Sequence, residues 1–260
     1  MGVGCRVPER PDRPARLAPG EICRTSRAAF RAVSEDGALM RYVWLSFPLG
    51  LDDPRPPAIP APTLEPFLTI ESDGANVQIL RLASHTGTHV DSPLHVVENG
   101  ISITEFALEE FIYVKPVVID LRLADAQVVT SDDLKPFANL LADADIALFR
   151  FGVGEIRRSD PQRFSLKSPG FGVEAAGWLK AKCPNLRALG MDVPSLACID
   201  RLDETMTAHN VLLGGEGSRF LVIEDMNLEH DLTGLKEVRI SPWLVSGMDS
   251  GPCSVVCVLD

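Results

Sequence analysis

Apolar residues along this chain come mostly in short runs rich in Val, Ile and Leu, the composition of strands. Such runs predict strands over 41–47, 77–83, 115–121, 146–151, 186–191, 219–223, 237–245 and 254–259. Helical spacing is rarer. SDDLKPFANLLADA (131–144) opens on a capping residue at Ser131, and VEAAGWLKAK (173–182) places Val173, Ala176, Trp178 and Leu179 on one face. DETMTAHNVLLG (203–214) ends at a Gly suited to a helix stop. Between Pro48 and Pro66 stand seven prolines, a density that excludes helix or central strand and predicts a loop. In EICRTSRAAFRAV (21–33), Ile22, Ala29, Phe30 and Val33 share a helical face, which predicts a short docking helix. The pattern is mixed α/β with more strand than helix and no internal repeat.

Composition changes the picture in two places. The 260 residues carry a net charge of -11, which argues against a general nucleic-acid partner. Residues 1–32 nevertheless hold seven Arg against three acids, so they read as an arm of residues 1–40 distinct from a domain over 41–260. Acids at Glu9, Asp12 and Glu21 are unusual in a transit peptide, and Arg6 stands where a myristoylation signal needs Ser or Thr. With no apolar run long enough to cross a bilayer, the expectation is a cytoplasmic protein without a membrane partner. The six cysteines are scattered with no CxxC pair, against a disulfide scaffold or zinc ribbon.

The chemistry gathers in SHTGTHVDSPLH (84–95). Three of the five histidines, His85, His89 and His95, fall here with Asp91. A lone histidine is ordinarily a satisfied polar residue, but this cluster matches the imidazole and carboxylate donors of a divalent ion such as Zn or Mn. The four-residue interval from His85 to His89 resembles a helical zinc motif, yet Gly87, the β-branched neighbours and Pro93 oppose a helix. In a straight strand, positions 85 and 95 would stand roughly 33 Å apart. The pattern therefore predicts a strand end passing into a tight loop around the ion, bent at Gly87 and Pro93. Thr86 and Thr88 read as strand formers, with hydroxyls able to orient a ligand.

HTGTHVDSPLH resembles the HxGTHxDxPxH signature of the cyclase-type metal hydrolases, which include bacterial kynurenine formamidases and isatin hydrolases. FALEEFIYVKPVVIDLR, SPGFGVEAAGWL and ALGMDVPSL resemble the segments that follow in that family, and the likeness covers roughly residues 41–259. It implies a swivelling β/β/α-type domain, α/β with a mixed, barrel-like central sheet flanked by helices. It also implies that His85, His89 and Asp91 bind a first ion, with Asp91 able to bridge to a second. His209 in AHNVLL then corresponds to a ligand of the second ion, Glu224 in RFLVIEDMNL to a carboxylate touching both, and His95 to the general acid/base. The family's relatives form homodimers or homotetramers, which is the expectation here.

Departures from the family concern the substrate side. WLSF replaces DLSH, with Phe47 in the His place, and PAIPA replaces PxWPG, with Ile59 in the place of a Trp. Both are therefore candidate substrate-binding residues. Ser254 stands where an Arg follows DGxPx, and placing Glu224 requires an insertion at GGEGS. A serine-hydrolase reading lacks a GxSxG elbow and would rest on Ser92 or Ser195. The expected function is metal-dependent hydrolysis of a small cyclic or acylated substrate, an amide, lactam, lactone or ester, with arylformamidase activity one member of that class. The competing reading is a non-catalytic metal or small-molecule binding protein on the same scaffold, for which His95 would serve no purpose.

Overall fold

A computed structural model describes residues 30–33 and 39–260. Its main sheet has ten strands among the described residues. One half runs antiparallel: Phe30–Val33, Leu39–Trp44, Ser250–Leu259 and His89–Asp91 in that order. His89–Asp91 then pairs antiparallel with Leu221–Glu224, which opens a parallel run through Ala188–Met191, Ile146–Arg150 and Pro116–Asp120. Leu235–Pro242 pairs with Ser250–Leu259 and with Ile112–Tyr113. Ile112–Tyr113 is only two residues from Pro116–Asp120, yet the two strands lie at distant points of the strand order, so the sheet curls into a nearly closed barrel.

Period-two alternation divides the core. Ile146 and Leu148 pack with Val90, Leu221 and Ile223 in one cluster. Ala147 and Phe149 face the other cluster, with Val222, Leu189 and the helices. The helix Val173–Lys182 buries Ala175, Ala176 and Leu179. Val173, expected on the buried face, stands exposed at the first helical position. Small Ala side chains let this helix approach the helix Ala208–Leu213 closely.

Several expectations change. Phe30–Val33, the described end of the expected docking helix, is a strand paired with Leu39–Trp44; residues 22–29 lie outside the described residues. The main sheet thus starts before residue 41. The proline-rich loop ends at Pro62, because Thr63–Leu68 pairs with Val77–Arg81 as a separate two-stranded ribbon. Pro66 is tolerated there beside a bulge. The first cap is Thr130, whose backbone N–H and hydroxyl both donate to Asp133, and not Ser131. The 203–214 segment splits into Leu202–Thr205 and Ala208–Leu213. Two helices had no apolar stripe to announce them, Gly154–Ser159 and Pro161–Lys167. The second begins with Asp160 accepting from the Arg163 N–H and with Pro161 in the first turn. Among the described residues no helix is long and apolar enough to cross a membrane.

Candidate metal centre

Sheet register assembles this site. His89–Asp91 lies between two strands, with Glu224 opposite His89 on one side and Ser250 opposite Asp91 on the other. Glu224 therefore arrives beside His89 from 135 residues away without any loop having to reach for it. Before the strand, Gly87 turns the chain at φ 65°, a conformation costly for a side chain. After it, Pro93–His95 forms a tight helical turn. These two bends bring the His85 and His95 rings to 4.3 Å between centroids, far from the extended separation. Val90 enters the barrel-side cluster, so His89 and Asp91 face the opposite side, where the helix Ala208–Leu213 supplies His209.

Asp91 is the hub. Its Oδ1 lies 3.1 Å from His85 Nδ1 and 3.6 Å from His89 Nε2, while Oδ2 is 3.9 Å from His209 Nε2. Glu224 spans the same gap, with Oε2 3.2 Å from His89 Nε2 and Oε1 3.2 Å from His209 Nε2. The Leu196 backbone N–H donates to Glu224 Oε1 at 2.6 Å and fixes that carboxylate. His89 donates through Nδ1 to the Gly87 carbonyl at 2.8 Å, which leaves Nε2 as a lone-pair donor facing the carboxylates. Asp91, His89, Glu224 and His209 are buried, whereas His85, His95 and Asp249 form a partly open mouth.

The donor set fits a divalent ion. Both oxygens of the fully buried Asp91, and His89 Nε2, lack a well-aligned hydrogen bond, and what faces them is a ring of imidazoles and the Glu224 carboxylate. Groups so deeply buried are ordinarily satisfied, because stripping a carboxylate of water without compensation is costly. The ligand atoms of His85, His89 and Asp91 lie within 4.8 Å of one another, as do those of Asp91, His95 and His209. Asp91 belongs to both groups, the disposition of a bridging carboxylate.

Electrostatics point the same way. Burial opposes a charge on His85, yet the Asp249 and Asp91 carboxylates facing its two ring nitrogens outweigh it and raise its pKa to about 10. Burial would lift the Glu224 carboxyl, but His209 and His89 hold it well below the usual range. Asp91 is likewise lowered: burial and Glu224 push up, and His85 and His89 prevail. Hydrogen bonds from His85 and His95 depress Asp249. Three carboxylates packed together keep their charge only against positive charge, which protonated imidazoles or a divalent ion can supply.

The remaining predicted residues lie around this centre. Phe47 donates its N–H to Thr88 Oγ1 at 3.1 Å, and its ring sits 4.0 Å below the Arg157 guanidinium. Thr88 Oγ1 in turn donates to the Asp225 carbonyl at 2.6 Å, so this strand former also braces the residue after Glu224. Ile59 lines a cavity of about 320 Å³ with the proline-rich loop and the helix Pro161–Lys167, and no residue of the histidine cluster lines that cavity. Ser92 Oγ donates to the Asp249 carbonyl. Ser195 Oγ accepts from the Ala197 N–H.

Sequence reasoning did not assign Asp249 or Arg157 a role. Asp249 had one signal, its position in MDSGP where the family reads DGxPx. Arg157 had none, because its partners are non-local. Its guanidinium grips both oxygens of buried Asp225 at 2.7 and 2.8 Å and reaches Asp53 at 3.3 Å. It thereby ties the proline-rich loop to the residue following Glu224. Arg157→Leu is expected to destabilise the fold by about 3–5 kcal/mol, since Asp225 would stay buried without its counter-charge. Chemical denaturation checks this, and a change under 1 kcal/mol would contradict it.

Comparison with known proteins agrees with this architecture. Residues 41–197 match the family described as putative cyclase. A kynurenine formamidase from Bacillus thuringiensis subsp. konkukian is 27% identical over 186 residues, 72% of this chain and 81% of the relative. Isatin hydrolase A from Labrenzia aggregata, solved with benzyl benzoate, superposes with a TM-score of 0.72 at 22% identity, covering 85% of this chain and 94% of its own. A predicted metal-dependent hydrolase from Bacillus stearothermophilus gives a TM-score of 0.66 at 22% identity, covering 85% and 99%. With more than half its length matched by the family and the barrel-like fold shared, this chain belongs to the cyclase family.

Proposed function

We propose that this protein is a metal-dependent hydrolase of a small cyclic or acylated substrate: an amide, lactam, lactone or ester. The observation that carries the reading is the buried Asp91 carboxylate, neither oxygen of which has a well-aligned hydrogen bond, set among His85, His89 and His209. Relatives named kynurenine formamidase and isatin hydrolase support the reaction class. His85, His89 and Asp91 would hold one ion, and Asp91, His209 and Glu224 a second. Imidazole and carboxylate donors accept either Zn or Mn. When bound, such an ion activates water and polarises an acyl oxygen.

The protein's own groups do the rest. The partly exposed His85, His95 and Asp249 mark the side from which a small molecule would reach the buried carboxylates. His95 holds a proton on that side and passes it to the leaving nitrogen or oxygen. This transfer matters most for amides, whose nitrogen leaves poorly without it. No nucleophilic side chain is required.

Metal content of the purified protein, measured with hydrolysis of N-formylkynurenine, isatin and a lactone before and after chelation, tests the reading. The expected result is bound Zn or Mn and turnover that chelation abolishes and the metal restores. No ion and no turnover, even with added Zn or Mn, would point instead to a non-catalytic binding protein.

A further inference from the structure

We infer that Asp249 is a positioning residue that sets the tautomers of two histidines at once: His85 as a ligand through Nδ1, and His95 as an acid/base through Nε2. The inference rests on the metal-dependent reading above. A single oxygen, Asp249 Oδ2, lies 3.0 Å from His85 Nε2 and 3.2 Å from His95 Nδ1. His85 turns its other nitrogen, Nδ1, towards Asp91 Oδ1 at 3.1 Å. An imidazole that gives its Nδ1 lone pair to an ion carries its proton on Nε2, and a carboxylate accepting that proton orients the ring. By the same logic, His95 donates Nδ1–H to Asp249 and leaves Nε2 free for the substrate.

The backbone fixes the point from which this side chain extends. Asp249 precedes Ser250, which pairs with Asp91. The Ser92 N–H and hydroxyl both donate to the Asp249 carbonyl, at 3.0 and 2.8 Å. The carboxylate is thus delivered next to the histidines by the register that delivers Asp91. One group accordingly couples a ligand on the metal side with the proton carrier on the substrate side.

The test uses full-length, zinc-loaded protein labelled with 15N-histidine, whose ring nitrogen shifts separate metallated, protonated and bare nitrogens. In the wild type, His85 should be metallated at Nδ1 and protonated at Nε2, and His95 protonated at Nδ1. Asp249→Ala should remove the His95 preference and weaken zinc binding about 10- to 100-fold by chelator competition. Asp249→Asn, which keeps an acceptor oxygen of similar shape, should restore the His95 signature. Bound zinc with His85 metallated at Nε2, or an Asp249→Ala protein with unchanged ring shifts and zinc affinity, would overturn the assignment alone. A wild type that binds no zinc and no manganese would overturn the metal reading and this assignment together.

Discussion

Asp91→Ala is expected to lose both the divalent ion and turnover. Among the described residues, Asp91 belongs both to the ligand group with His85 and His89 and to the one with His95 and His209, and its two oxygens face different histidines. Removing it takes a carboxylate from both the His85–His89 side and the His209 side, so each would keep fewer protein donors than a tetrahedral ion takes. Loss of an outer partner of a ligand already costs 10- to 100-fold in affinity, and a direct ligand should cost more. Metal analysis after dialysis reads the result. Asp91→Asn, which preserves volume in this fully buried position, separates lost coordination from a collapsed cavity. An Asp91→Ala protein with full metal occupancy and a normal rate would sink the site assignment.

His95→Ala should behave differently, keeping the ion while the rate falls by about 10²- to 10⁴-fold, the range for loss of a general acid/base. Position is the reason. His95 stands at the mouth, its Nδ1 held by Asp249, with its ring 5.4 Å from that of His209 and 4.3 Å from that of His85. It overlies the donor set, and it also comes within ligand reach of Asp91 and His209. The variant decides between the two roles: retained metal with a reduced rate makes His95 the proton carrier, whereas lost metal makes it a ligand. A drop confined to kcat, with stoichiometric metal, is the expected pattern.

The outcome divides along sequence distance. His85, His89, Asp91 and His95 were legible because they lie within eleven residues, and their bends were written in Gly87 and Pro93. Strands such as Ile146–Arg150 were legible because a run buried on both faces needs apolar side chains throughout. His209 and Glu224 became candidates only through resemblance, since one His on a helix or one Glu after a strand carries little information alone. The structure takes up the GGEGS stretch in the loop between Leu213 and Leu221, so Glu224 still meets His89.

The sequence by itself determined the α/β class, most of the strands and the chemical type of the site, because these depend on side-chain periodicity and on neighbours in the chain. Tertiary structure alone decided that Phe30–Val33 pairs as a strand where helical spacing was expected. It also decided that Arg157 clamps Asp225 and that Asp249 meets His85 and His95. The physical reason is common to all three: strand pairing and buried charge compensation are settled by partners far away in sequence, and no local pattern specifies which partners the sheet register will bring together.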